Sequence, residues 1–262
     1  MTSKVIIMTG ASSGIGAATV KRLAQDGARI TLAARRAEKL AKLANEVETL
    51  GGEALVVQTD VSKRADIEHM IQATLERWGR IDVLVNNAGI GGDVSFLDID
   101  PDKVRKEVHI NLIAVIECAQ VVLPIMLRQK SGHIVNVASL AGLVAPPEST
   151  VYSATKFGVN GFSDSLRREL HNTGISVSAF CPGYTPSEIS PILKAHAEKQ
   201  ADAPSVPGLM PITYVADQLA DLIYRPRRRL VIPVGWRPFI ALGRLFPALA
   251  DALMPLFRSK DN

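Results

Sequence analysis

Short apolar runs alternate with longer, mixed stretches over most of the chain. Runs such as 83–85 and 134–137 are apolar at nearly every position, which is typical of strands buried on both faces of a sheet. Strands that alternate with helices imply right-handed crossovers and a parallel sheet. The pattern predicts strands near residues 4–9, 29–33, 53–57, 81–85, 132–137, 175–180 and 230–232, and helices near 14–26, 37–50, 63–78, 102–129, 151–172 and 213–223.

These elements predict an α/β protein with a single-domain, doubly wound parallel sheet of about seven strands and helices on both faces. We expect this domain to occupy residues 1–232 and to be followed by an apolar and basic extension at 233–262. A chain of 262 residues can form one such domain with a large core. Its composition, 47% apolar and 21% charged, excludes disordered and fibrous classes.

A glycine-rich turn follows the first predicted strand. Gly10, Gly14 and Gly16 have the spacing Gly-x-x-x-Gly-x-Gly and lead directly into a predicted helix. In this context, glycines let backbone amides approach a pyrophosphate, and the helix N-terminus favours the negative charge. The motif therefore predicts the dinucleotide site of a Rossmann-type fold, although an isolated glycine triplet is more often a simple tight turn.

Tyr152 and Lys156 stand four residues apart in a predicted helix, and Ser139 follows a predicted strand upstream. Side chains at this spacing project from one helix face, so the ammonium favours the phenolate form of the tyrosine. Lowering a tyrosine pKa from ~10 towards neutrality takes about three units, or roughly 4 kcal/mol. A phenol tuned in this way is a general acid or base, but such a pair also arises by chance.

Thr9, Asp60, Asn86 and Ser139 all fall at or just past the carboxyl ends of predicted strands. Those ends meet at one edge of a parallel sheet, and ligands of doubly wound folds bind beyond that edge. We therefore expect one cleft to collect these residues.

With these motifs in this order, residues 4 to about 232 closely resemble the short-chain dehydrogenase/reductase family. The resemblance implies a catalytic group and a cofactor-binding group of residues, with Tyr152 and Lys156 in both. It departs from the family at Ala114, where many members have glycine. The implied catalytic residues are Asn111, Ser139, Tyr152 and Lys156, and the other implied cofactor-binding residues are Gly10, Ser12, Ser13, Gly14, Ile15, Gly16, Arg35, Arg36, Asp60, Val61, Asn87, Ala88, Gly89, Pro182, Gly183 and Ser187.

The resemblance also implies a reaction, namely hydride transfer between a nicotinamide and a ketone or secondary alcohol. Tyr152 would exchange the proton, Lys156 would lower the tyrosine pKa and bind the nicotinamide ribose, and Ser139 would hold the substrate oxygen. Asn111 would hold a water that connects Lys156 to solvent. A non-catalytic sensor of NADP(H) on the same fold is the alternative from another functional class, but it would not need this complete set.

The end of the second predicted strand indicates which cofactor is used. It lacks an acidic residue, and Arg35 and Arg36 follow directly. An acid would bind the ribose hydroxyls of NAD, whereas an arginine can pair with the 2′-phosphate of NADP. We expect NADP(H) rather than NAD(H), although two solvated arginines could also simply open a helix.

Residues 184–211 form the variable stretch that covers the substrate in this family; we call it the lid segment. It mixes five prolines with apolar residues, as a cover for an apolar, lipid-, steroid- or keto-acyl-like substrate would. The same residues could equally serve only to pack the lid segment down. Reduction of an activated C=C bond and broad xenobiotic carbonyl reduction are the alternative reactions.

The C-terminal segment is unusually basic. Residues 225–262 hold eight Lys or Arg against two Asp, so they carry +6 in a chain whose total is +4. We expect prolines at 238, 247 and 255 to break it into short helices. It could lie in a membrane interface or pack on protein, either a partner subunit or its own protomer. No aromatic platform or recognition helix accompanies the basic cluster, so nucleic-acid binding is not expected.

Cys118 and Cys181 are too few for a disulfide framework and have no metal-like spacing with histidines, so we expect two core residues and no metal. The predicted first strand begins after three residues, which leaves no room for a secretory signal and favours the cytoplasm. The family resemblance implies a homodimer or homotetramer.

Overall fold

The computed structural model describes residues 3–91, 96–189 and 208–253, together with positions 195 and 198. This part contains a seven-stranded sheet in the order β3-β2-β1-β4-β5-β6-β7, with parallel neighbours throughout. The strands are β1 Val5–Thr9, β2 Arg29–Ala34, β3 Glu53–Gln58, β4 Val83–Asn86, β5 Gly132–Val137, β6 Ile175–Pro182 and β7 Arg229–Ile232. All seven predicted strands and the predicted fold class are confirmed.

The helices also follow the predicted alternation. The predicted helix at 102–129 spans Pro101–Gln129, but a π-helical turn at His109–Ile113 divides it. The pattern did not separate out the short helix α6, which follows β5. The α-helices are α1 Gly14–Ala24, α2 Ala37–Thr49, α3 Arg64–Trp78, α4 Pro101–Val108, α5 Ala114–Gln129, α6 Ala141–Val144, α7 Thr150–Glu169, α8 Ile212–Tyr224, α9 Trp236–Leu245 and α10 Pro247–Leu253.

The core lies on both faces of the sheet because side chains alternate along each strand. Ile6 and Met8 of β1 pack with α1, α2 and α8, whereas Ile7 packs with α3, α5 and the end of α7. Cys118 and Cys181 are both buried and unpaired in disulfides, as expected, and burial raises the pKa of each thiol to about 12. The cysteines are therefore small apolar core residues.

The helix from Pro101 to Gln129 is long and apolar enough to cross a bilayer by length and composition alone. In the structure, however, its residues Cys118, Val122 and Met126 are buried against the sheet. A core helix of a doubly wound fold passes the same test of length and hydropathy. The packing assigns this helix to the core of the domain.

The C-terminal segment packs on its own protomer through α9. Ile240 is only 9% exposed and joins Leu140, Leu143 and Val231 in one buried cluster, against which Trp236 also packs. Of the two alternatives left open by the sequence, a membrane interface and packing on protein, these contacts favour packing on protein.

The expected helix breaks are correct at Pro247, which begins α10, and wrong at Pro238, which lies inside α9. Pro238 stands in the first turn, where its backbone nitrogen needs no intrahelical partner. Pro255 lies outside the described residues.

The basic cluster at the end of α8 is paired with acidic residues. Arg225 and Arg227 bridge to Asp221, while Arg228 and Arg229 bridge to Asp164. These ion pairs connect α7, α8 and β7, so the cluster has a structural partner within the domain.

Candidate active site

The strand order reverses between β1 and β4, and the loops that leave these two strands meet there. A Cβ on Gly10 would lie 2.8 Å from the Cα of Ala88, and one on Gly16 would lie 2.5 Å from the carbonyl oxygen of Gly10. Gly10 also has a positive φ of 65°, which side chains rarely adopt. These glycines are therefore required by close backbone approach at the switch point of the sheet.

Thr9 and Asn87 join the two loops. The Thr9 hydroxyl accepts hydrogen bonds from the backbone N–H groups of Asn87 (2.9 Å) and Ala88 (3.0 Å). The side-chain amide of Asn87 in turn donates to the carbonyl oxygens of Thr9 (2.8 Å) and Gly10 (3.3 Å). This network holds the glycine loop at one place relative to β4.

The N-terminus of α1 opens into this junction. Its N-cap residue, Ser13, makes no capping hydrogen bond, so its side chain leaves the first amides of the helix to other partners. Gly14 lies close beneath Ser187, whose Cβ is 3.7 Å from the position that a Cβ of Gly14 would take. A glycine cradle with uncapped helix amides fits the pyrophosphate of a dinucleotide.

Asp60 and Val61 lie just beyond the end of β3. The Asp60 carboxylate accepts from the backbone N–H (3.0 Å) and hydroxyl (2.8 Å) of Ser62. Burial by itself would raise the pKa of Asp60. The hydrogen bonds from Ser62 and the charge of Arg35 together lower it by more, so the net pKa is below its usual value. Val61 is buried and packs with Ile110.

The two arginines after β2 lie in different surroundings. Arg35 is exposed and lines a surface pocket with Asp60. The guanidinium of Arg36 instead donates to the hydroxyls of Ser12 (2.9 Å) and Ser13 (2.7 Å), so it lies against the glycine loop. Arg36 also bonds to Glu188, a residue that the sequence motifs did not indicate.

Tyr152 and Lys156 share one face of α7. The Lys156 ammonium lies 5.5 Å from the centre of the Tyr152 ring and donates to the carbonyl oxygen of Val137 at 2.9 Å. Lys156 is only 3% exposed, and burial lowers its pKa from 10.5 to about 8. A lysine with this pKa still carries its charge at neutral pH and can stabilise a phenolate.

Asn111 lies in the π-helical turn, a feature that is frequent at functional sites. Its side chain accepts from the backbone N–H of Ile90 (2.9 Å) and donates to the Ile90 carbonyl oxygen (2.7 Å). A Cβ on Gly89 would lie 3.3 Å from the Asn111 side-chain oxygen and 3.7 Å from the Lys156 nitrogen. The structure thus brings Asn111, Gly89 and Lys156 to one point.

Ser139 stands between β5 and α6. Its hydroxyl accepts from the backbone N–H of Ala141 at 3.1 Å, and the N–H of Leu140 donates to the Pro182 carbonyl oxygen at 2.8 Å. The N–H of Gly183 donates to the carbonyl oxygen of Ile232 at 2.9 Å. Backbone hydrogen bonds thus fix the turns after β5 and β6 next to each other.

Two residues that the motifs did not indicate connect Ser139 to Lys156. A Cβ on Gly142 would lie 2.6 Å from the backbone of Lys156, so α6 packs directly on α7. The Asn160 amide donates to the carbonyl oxygens of Gly142 (3.0 Å) and Lys156 (3.1 Å). Asn160 follows Lys156 by four residues, a spacing that predicts proximity on a helix but not the contact with α6.

Glu107 is a further titratable group near Lys156 that sequence reasoning missed. One of its carboxylate oxygens is buried and lacks a hydrogen-bond partner. Burial raises its pKa to about 6, against the opposing charge of Lys156. Among the described residues, no three histidine, cysteine, aspartate or glutamate side chains come together as a metal site would require.

Comparison with known families identifies this architecture. Residues 4–198 match the model of the short chain dehydrogenase family, and the chain belongs to that family. It is an oxidoreductase of the class that acts on alcohol and carbonyl groups.

Similar proteins agree with this assignment. The chain is 37% identical to a 3-oxoacyl-[acyl-carrier-protein] reductase of Synechocystis over 74% of its own length and 79% of the relative. Its structure is similar to a short chain dehydrogenase/reductase from Burkholderia phymatum in complex with NAD (27% identity, TM-score 0.82, covering 99% and 97% of the two chains). It is also similar to a short-chain dehydrogenase from Sphingobium yanoikuyae in complex with NADPH (27% identity, TM-score 0.79, 99% and 98%).

Proposed function

We propose that this protein is an NADP(H)-dependent oxidoreductase that interconverts a ketone and a secondary alcohol, with Tyr152 as the general acid and base. The observation that carries the proposal is the buried ammonium of Lys156, which lies 5.5 Å from the centre of the Tyr152 ring. A bound nicotinamide supplies the hydride in reduction and accepts it in oxidation. The glycine loop, Asp60, the segment Asn87–Gly89 and the segment around Ser187 would hold this cofactor.

The side chains of the site move and stabilise the proton. In reduction, Tyr152 donates its proton to the carbonyl oxygen as the carbonyl carbon gains a hydride, and the phenolate that remains is stabilised by Lys156. In oxidation, the phenolate takes the proton back from the alcohol. The hydroxyl of Ser139 donates a hydrogen bond to the substrate oxygen as charge develops on it. Asn111 would hold the water through which Lys156 exchanges protons with solvent.

The preference for NADP(H) over NAD(H) is part of the proposal. Its support is the absence of an acid at the end of β2 and the presence of Arg35 and Arg36 immediately after it. Arg36 already donates hydrogen bonds to the two serines of the glycine loop, where a 2′-phosphate would approach. The solved relative from Sphingobium yanoikuyae, which is in complex with NADPH, is consistent with this choice.

An apolar substrate of the lipid, steroid or keto-acyl kind is also proposed. The support comes from the apolar lid segment, most of which lies outside the described residues, and from the similarity to a 3-oxoacyl reductase. Leu140 and Leu143 follow Ser139 and could have extended an apolar wall for the substrate, but both are buried in the cluster with Ile240, which favours a packing role.

NADPH oxidation should be measured against straight-chain ketones of increasing length, 3-oxoacyl thioesters and steroid ketones. The proposal predicts that kcat/KM rises with apolar chain length; a preference for short polar ketones would contradict the apolar substrate. An activated enone tests the alternative C=C reduction, and simple aryl ketones and quinones test the broad xenobiotic reductase. Failure to turn over any carbonyl or alcohol despite tight NADPH binding would favour the sensor.

The proposed location of the protein is the cytoplasm, and its proposed oligomeric state is a homodimer or homotetramer. Light scattering during size-exclusion chromatography would test the oligomeric state. Membrane contact through the C-terminal segment is the alternative role, supported by the exposure of Leu245 (73%) and Phe246 (57%). Co-sedimentation with anionic vesicles at low and high salt distinguishes membrane contact from packing on protein, because interfacial binding through the arginines weakens with salt.

A further inference from the structure

Glu188 is the centre of a charge cluster at the mouth of the cofactor site. One of its carboxylate oxygens accepts from Arg36 at 2.7 Å and from the Ser13 hydroxyl at 3.1 Å. The other accepts from the ammonium of Lys39 at 3.2 Å. Two cations and a hydroxyl therefore converge on one anion beside the N-terminus of α1.

The members of this cluster come from three separate parts of the chain. Arg36 and Lys39 lie at the start of α2, Ser13 lies in the glycine loop, and Glu188 lies 152 positions beyond Arg36. Burial raises the pKa of Glu188, but the hydrogen bonds from Arg36 and Lys39 outweigh it, so the net pKa is below its usual value. The carboxylate is consequently ionised at neutral pH.

The chemistry of this arrangement is that of a phosphate site. A phosphate monoester carries about −1.5 to −2 charges at pH 7, and arginine, lysine and serine hydroxyls are its usual ligands. The cations here are the residues that follow β2, where the proposed function requires recognition of the 2′-phosphate. The Glu188 carboxylate is bound by the cations that would hold that anion.

We propose that Glu188 is an internal competitor for the 2′-phosphate of NADP(H), and that it leaves Arg36 and Lys39 when that phosphate binds. This inference rests on the proposed use of NADP(H). It adds Lys39 to the phosphate ligands and makes Glu188 a determinant of cofactor specificity. NADH carries no anion at this position, so it leaves the ion pairs of Glu188 in place.

Binding of reduced cofactors, followed by nicotinamide fluorescence, tests the competition without turnover. In Glu188→Gln, the Kd for NADPH should fall about fivefold, the size expected for the loss of two exposed ion pairs, and the Kd for NADH should change less than about twofold. Glu38→Gln is the matched control. Glu38 lies in the first turn of α2, close to Arg36 and Lys39 in the sequence, but it is not a member of the cluster. The control therefore also removes one carboxylate charge but leaves the cluster intact. It should change neither Kd by more than about twofold.

A second pair of variants tests whether Glu188 acts through the arginine. In an Arg36→Ala background, the effect of Glu188→Gln on NADPH binding should shrink to less than about half of its size in the wild-type background. An undiminished effect would overturn the proposal. Circular dichroism of each variant verifies that the fold is retained.

The remaining outcomes separate the inference from the function on which it rests. Weaker NADPH binding by Glu188→Gln would mean that Glu188 closes over the bound cofactor, and equal tightening for NADPH and NADH would mean general obstruction. An unchanged Kd in a protein that prefers NADPH would refute the inference alone. A wild-type protein that binds NADH better than NADPH would refute the proposed cofactor.

Discussion

The Lys156 ammonium donates a 2.9 Å hydrogen bond to the carbonyl oxygen of Val137, the last residue of β5. This bond connects the helix that carries Tyr152 to the strand that precedes Ser139. The bond thereby holds the charge at a fixed place in a buried site. The same burial lowers the pKa of the lysine. The consequences for catalysis and for stability can be measured separately.

Tyr152→Phe removes the hydroxyl and leaves the ring that contacts Gly91 and Lys156. We expect kcat to fall by about 10²–10⁴-fold, because general acid–base catalysis contributes a factor of that size. The Kd for NADPH should stay within about twofold of the wild-type value, since the ring stays in place. Steady-state kinetics and a fluorescence titration give the two values; joint loss of both would make the tyrosine structural.

Lys156→Met should increase stability at neutral pH while abolishing activity. The lysine pKa is 10.5 in the unfolded reference and about 8 in the fold, so the folded state disfavours the charge. That cost, up to about 3 kcal/mol, is fully present below pH 8 and disappears as the pH rises towards 10.5.

The methionine removes the cost but leaves the Val137 carbonyl oxygen without its donor, so a net gain of about 1–2 kcal/mol is expected at pH 7. Urea unfolding at pH 7 and pH 10 measures this change. A stability gain of equal size at pH 7 and pH 10 would show that the gain does not come from removing the buried charge.

Gly142→Ala and Gly161→Ala form a matched pair of glycine substitutions. A Cβ at position 142 would lie 2.6 Å from the backbone of Lys156, whereas a Cβ at position 161 in α7 meets nothing within 4 Å. We expect Gly142→Ala to cost about 1–3 kcal/mol and to lower kcat, because α6 and Ser139 must shift. Gly161→Ala should instead stabilise the protein by up to about 1 kcal/mol.

Chemical denaturation of both variants, together with kcat, measures these effects. If the two variants were equally destabilised, the cause would be the local helix geometry at each position and not the contact between α6 and α7. Normal kcat in a folded Gly142→Ala variant would show that Ser139 does not depend on the packing of α6.

Ile240→Ala tests whether α9 belongs to the folded domain. Ile240 is 9% exposed in the cluster with Leu140 and Leu143, whereas Leu242 on the same helix is 39% exposed. The buried truncation should cost about 2–4 kcal/mol, and Leu242→Ala less than about 1 kcal/mol. Urea unfolding gives both values. Indistinguishable small effects would mean that α9 docks elsewhere, such as on a membrane surface.

Much of the fold could be predicted because its signals are local. The apolar runs mark all seven strands, and the spacing of Tyr152 and Lys156 places both on one helix face. The π-helical turn at Asn111 could not be predicted from periodicity, since a pattern with one helical period does not reveal one widened turn. Pro238 was expected to break a helix that in fact accommodates it in its first turn.

The sequence by itself determined the succession of strands and helices along the chain, the glycine turn and the identities of the residues that can carry charge and protons, and it placed several of these residues at one edge of the sheet. These features depend on neighbouring residues, and side-chain periodicity records them directly. Only the tertiary structure decided which distant groups meet: Asn87 with Thr9, Gly142 with Lys156, and Glu188 with Arg36. Such pairwise contacts depend on the order of the strands within the sheet and on how the turns pack at its edge. The spacing of residues along the chain does not encode that arrangement.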